Sequence, residues 1–79
     1  MTHVTPRQIR AARALLGWSQ ATLADKAVIS LSSVIRLEKG LSTTTDVYFR
    51  ACRALEDAGV VFLPAARQGE GVRLSLPDQ

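Results

Sequence analysis

The chain has a single cysteine, Cys52, and a single histidine, His3. It can therefore close no internal disulfide, and it lacks the ligands for a protein metal cage of the Cys/His kind. A lone thiol fits a reducing cytosol, so a cytoplasmic location is expected. Long hydrophobic runs are also missing. The longest, residues 59–66, is far short of the ~20 residues that a membrane span needs. No charged start followed by an apolar stretch and a small-residue cleavage site opens the chain, so neither secretion nor a membrane role is expected. Catalytic constellations are absent too: there is no Ser–His–acid set, no carboxylate pair and no phosphate loop. Gly69-Glu70-Gly71 is too short to be a nucleotide motif. An enzyme is not expected, nor is any cofactor.

What is present is an ordinary globular composition in 79 residues, 47% hydrophobic and 22% charged. That is one small domain. A chain of this size buries only about 60–65% of the surface its unfolded form exposes, so its stability is marginal and a partner subunit would help. The net charge of +3 is unevenly placed. Arg7, Arg10, Arg13, Lys26, Arg36 and Lys39 face only Asp25 and Glu38 in residues 1–40, a balance of +4, whereas residues 41–79 come to −1. A basic front half suggests a module that meets a polyanion, although ordinary surface charge would give the same imbalance.

Four helices are legible. Residues 6–16 place Ile9, Ala12, Leu15 and Leu16 at helical spacing, with Thr5 as cap, Pro6 at the first position and Gly17 as the stop. Ser19 caps a short second helix over residues 20–27, whose apolar face is Leu23, Ala24 and Ala27. Ser30 caps a third, residues 31–39, with Val34 and Leu37 inward and Gly40 as terminator. Thr43, Thr44 and Thr45 offer caps for a fourth over residues 46–58. Its core side is Val47, Ala51 and Leu55, flanked by Tyr48 and Cys52. Gly59 closes it.

The tail then changes period. Residues 60–63 form a β-favouring run ended by Pro64, and residues 72–76 alternate apolar and polar as a half-buried strand does. Residues 1–59 are read as a helical domain and residues 60–79 as a β-hairpin extension. The fold class is mainly α, with four helices and a C-terminal two-stranded hairpin. A lone two-stranded hairpin is marginal in water, so it must pack on the helices or on a second copy of itself.

Two short helices joined by a tight turn in a small basic domain make the arrangement of a DNA-binding helix-turn-helix. Gly17-Trp18-Ser19-Gln20, Leu23-Ala24, Ile29-Ser30 and the run from Val34 through Ile35, Arg36, Leu37, Glu38 and Lys39 to Gly40 resemble the signature of the Xre/Cro-type helix-turn-helix family. The resemblance spans about residues 9–55. It departs at Val28, where the family usually has glycine in the turn; a β-branched residue is costly at positive φ, which leaves the shape of this turn open.

The resemblance implies a four-helix Cro-type domain that binds double-stranded DNA, with the third helix in the major groove. Reading positions would be Leu31, Ser32, Ser33 and Arg36, with Ser30 at the cap. Arg36 could fork to guanine O6 and N7, or rest on a phosphate. Leu31 could meet a thymine methyl or cover the core. Ser19 and Gln20, at the start of the second helix, are expected near a phosphate, and Lys39, Arg10 and Thr43 are candidates for flanking phosphates. Arg13 and Glu38 stand where similar proteins tie the first helix to the end of the third by an ion pair. Trp18 and Cys52 read as core residues.

The resulting expectation is a sequence-specific transcriptional regulator that binds a palindromic operator as a homodimer. Val60, Phe62, Val72 and Leu74 are the candidate dimerisation residues, with Phe62 and Leu74 buried against the second chain. The alternative is an antitoxin or mobile-element controller whose tail binds a partner protein by strand addition while the helix-turn-helix autoregulates its operon.

Overall fold

The computed structural model describes residues 3–66 and 68–75. Four helices are followed by two strands: α1 Pro6–Leu15, α2 Gln20–Ala27, α3 Leu31–Lys39, α4 Thr45–Asp57, β1 Val60–Leu63 and β2 Gly71–Leu74. Side-chain caps fix the helix starts, since the first backbone N–H groups of a helix have no intrahelical partner. Ser19, Ser30 and Thr44 accept from the N–H groups of Thr22, Ser33 and Val47. Of the three threonines before α4 it is therefore Thr44 that caps, and the helix starts at Thr45. At α1, Thr5 and Gln8 form a reciprocal capping box.

The turn at Val28, left open by the sequence, takes a left-handed shape. Val28 sits in the left-handed region at φ 57, ψ 50, as the cap of α2. The Ile29 N–H closes the turn on the Ala24 carbonyl at 3.0 Å. The valine thus holds the conformation a glycine would adopt freely.

The apolar faces converge on one core. Ile9, Ala12, Leu23, Val34, Ala51 and Leu55 are almost fully buried, and Ala24 and Ala27 line the inner side of α2. Trp18 packs against this core, and Cys52 is inside it. Burial pushes the Cys52 thiol up to about 11, which keeps it protonated at neutral pH.

The hairpin joins the same core. Val60 pairs with Leu74, Val61 with Arg73, Phe62 with Val72 and Leu63 with Gly71, antiparallel. Gly71 belongs to β2 rather than to the loop because it faces Leu63; Leu76, expected in this strand, lies outside the described residues. Val60 is buried, and Phe62, Val72 and Leu74 pack on the helical core of their own chain. Phe62 and Leu74, expected to be buried against a second chain, are half-buried on the helices of their own chain, so part of each side chain stays at the surface.

Polar bonds fasten the hairpin to α1. The Gln8 amide is buried, and its Nε2 donates to the Leu63 carbonyl at 2.8 Å and the Gly71 carbonyl at 2.9 Å. Glu70 in the hairpin loop accepts from the Thr5 hydroxyl and, at 3.3 Å, from Arg7. The Thr5 hydrogen bond foremost, with help from Arg7, holds the Glu70 carboxyl below its usual range.

Backbone strain at Val28 yields a prediction. The side chain is 75% exposed, so its removal loses little packing. Left-handed geometry costs a non-glycine residue roughly 1–2 kcal/mol, partly offset by the ~0.5–1 kcal/mol entropy cost of glycine. Val28→Gly is expected to stabilise the fold by up to about 1 kcal/mol, raising Tm by ~4–8 °C per kcal/mol gained. A thermal melt followed by circular dichroism checks this, and a lower Tm would show the valine to be unstrained.

Candidate nucleic-acid interface

The α2–α3 pair is held by one carboxylate. Glu38, near the end of α3, is 4% exposed and accepts three hydrogen bonds. Arg13 of α1 donates from Nε to Oε2 at 2.7 Å and from Nη2 to Oε1 at 3.1 Å. Gln20 Nε2, in the first turn of α2, donates to Oε1 at 3.0 Å. The remaining arm of Arg13 reaches the Trp18 carbonyl at 3.0 Å, in the link between α1 and α2. Arg13 and Glu38 are thus in direct contact, and their bond raises the Arg13 pKa against the opposing effect of burial.

Two candidates for phosphate contacts turn out to have work inside the protein. Arg10 Nη1 donates to the backbone carbonyl of Glu38, satisfying a carbonyl at the C-terminal end of α3, where a cation is also favoured by the helix dipole. Arg10, expected at a flanking phosphate, is exposed and spends one nitrogen on this bond; it lies three residues from Arg13, on the same side of α1, and is drawn to the same helix end. Gln20 spends one amide N–H on Glu38, which leaves its second N–H and its carbonyl oxygen for a ligand. The spacing of Arg10 and Arg13 was the available signal for a shared target.

On the outer side of α3, Ser30, Leu31, Ser32, Arg36 and Lys39 are exposed, and Ser33 is half-buried. Leu31, 45% exposed, leaves much of its side chain outside the core. Ser30 Oγ caps the helix through the Ser33 N–H at 3.0 Å and lies 2.9 Å from Ser33 Oγ, so these two hydroxyls hold each other. Arg36 Nε donates to the Ser42 carbonyl at 2.9 Å. That bond ties the guanidinium to the link between α3 and α4 and leaves its two terminal NH₂ groups, the fork that recognises an oxygen pair. Thr43, half-buried, lies in the same link. Ser19, beside Gln20, caps α2 and lies 2.9 Å from the Thr22 hydroxyl.

The surface so formed has one helix side with hydroxyls, a leucine and an arginine fork, next to a capped helix N-terminus. It carries hydrogen-bond donors and positive charge for phosphate oxygens and base edges. Among the described residues no group of three His, Cys, Asp or Glu side chains could hold a metal, and no helix is long and apolar enough to cross a membrane.

Removal of Arg13 tests the network. Arg13→Ala strands a buried carboxylate, and a broken buried pair costs about 3–5 kcal/mol. Urea unfolding checks it. A loss under about 1 kcal/mol, the size of an exposed pair, would show that the two charges act independently.

The helix-turn-helix family model covers residues 9–56, from within the first turn of α1 to nearly the end of α4. No curated protein matches the chain.

Proposed function

The chain belongs to the Xre/Cro-type helix-turn-helix family of DNA-binding transcription regulators, and we propose that it reads a palindromic operator as a homodimer, through the exposed side of α3. The observation that carries this reading is the Glu38 network, which ties three helices together behind that side. A rigid α3 presents Leu31, Ser32 and Arg36 to base edges in the major groove. Gln20, Ser19 and the first-turn N–H groups of α2 take a phosphate, with Lys39 and Thr43 flanking. Ser30 and Ser33 hold the start of the reading helix. In a two-fold dimer the two α3 helices would enter successive major grooves, ~34 Å apart.

The backbone of the hairpin supports a dimer. Ser75 N–H donates to the Gly59 carbonyl. With the observed register, this makes Val61–Arg73 and Leu63–Gly71 the hydrogen-bonded pairs, and it turns the N–H and C=O of Val60 and Phe62 outward along the free edge of β1. Val60 and Phe62 therefore give their side chains to the core and their backbone to a neighbour. Antiparallel pairing of β1 with its copy, centred on Val61, brings two valines together with no charge in the seam. Val72 and Leu74 stay with the core of their own chain.

Two measurements test this function. Arg36→Ala is expected to weaken specific binding by roughly 1–3 kcal/mol and relax selectivity at one base per half-site, whereas Gln20→Ala should weaken all duplexes about equally. Fluorescence anisotropy on operator and random duplexes separates them; an equal loss on both for Arg36→Ala would make it a phosphate contact. Val61→Glu sets two carboxylates together at the seam, and sedimentation should then give the monomer mass. An unchanged dimer would remove β1 from the interface.

A further inference from the structure

The second edge of the hairpin differs from the first. By the same register, Val72 and Leu74 turn their N–H and C=O groups outward along β2, where no other described residue bonds them. Beside this edge, between α1 and the hairpin loop, lies a cleft of about 440 Å³ lined by Arg7, Gln8, Ala11, Ala65, Glu70 and Val72. Its alanines and valine suit a small apolar side chain. Arg73 is exposed on the outer side of β2, and the Arg7 side chain at the cleft is 75% exposed.

We propose that the β2 edge and this cleft together form a docking site for an extended segment of another protein, alternating acidic and small apolar residues, which adds as a third strand. Main-chain bonds to Val72 and Leu74 would anchor the segment, and the side chains on alternate positions would be sorted by the two sides of the sheet. Those on the inner side meet Ala11, Ala65 and Val72. Those on the outer side flank Arg73, where an acid is favoured as a cross-strand neighbour.

Charge decides between this occupant and a second copy of the chain. Antiparallel self-pairing that matches Val72 to Leu74 of the copy sets Arg73 directly against its own counterpart, a disfavoured pair. The edge of β1 carries no such charge. The two edges are thereby separated: β1 accepts its own copy, and β2 repels it and selects an acidic partner. The site is independent of the α2–α3 surface, so its loss would leave DNA binding unchanged, and failure of the DNA reading would not touch it.

The test uses the full chain, ¹⁵N-labelled, with a short synthetic peptide alternating glutamate and valine, and a lysine–valine peptide of equal length as control. The glutamate peptide should slow hydrogen exchange at the Val72 and Leu74 amides by about tenfold at saturation. Arg73→Glu should weaken that peptide roughly fivefold and reverse the preference between the two. No protection at these amides, or equal protection by both peptides, overturns the proposal. Protection that rises with protein concentration in the absence of peptide overturns it as well, because a second copy would then occupy the edge.

Discussion

The orientation of α3 depends on one buried carboxylate. A charge removed from water is tolerable only when it is paired and both its oxygens are hydrogen-bonded, and Glu38 meets that condition with Arg13 from α1 and Gln20 from α2. The demand works in both directions. The carboxylate needs its donors in place, so the donors fix where the end of α3 can lie. Arg10 adds a bond to the backbone carbonyl of the same residue. A nine-residue helix, too short to be stable alone, becomes a rigid element because its polar end is as constrained as its apolar side. For sequence-specific recognition this matters more than net stability, since hydrogen bonds to base edges tolerate little displacement.

The C-terminal hairpin follows a second constraint, that of a small domain with little core to spare. Its side chains on one side complete the core, and the buried Gln8 amide bridges carbonyls of both strands. The outward backbone groups along its edges are what remains to be satisfied. In a strand the side chain and the backbone polar groups of one residue point in different directions, so Val60 and Phe62 turn their side chains to the interior and their N–H and C=O groups to the edge.

The helices were legible in the sequence because their ends carry chemistry. Ser19, Ser30 and a threonine before α4 cap where capping residues stand at the start of an apolar period, and Gly40 ends α3 in a left-handed conformation. The Arg13–Glu38 contact was legible only by resemblance, since 25 residues separate the two. Gln8 was not legible: a glutamine on a helix reads as solvated until the two carbonyls that bury it are brought near by the fold. Arg10 and Gln20 carried signals for phosphate, and charge or amide chemistry alone does not say whether the acceptor is internal. Val28 kept the turn its side chain opposes, because tertiary contacts on both sides outweigh a local cost of this size. The edges of the hairpin were hidden for a different reason. Which residues face outward depends on the register, and the register depends on a loop whose conformation the strand pattern does not specify.

The central claim is that α3, held from behind by Glu38, is the element that meets DNA. The direct measurement is an NMR titration of the ¹⁵N-labelled chain with duplex DNA at low ionic strength. The account requires the amide signals of Leu31, Ser32 and Arg36, with those of Ser19 and Gln20, to move on addition of duplex while those of Val61 and Arg73 stay in place. Unmoved α3 signals, or movement confined to the hairpin, would contradict it.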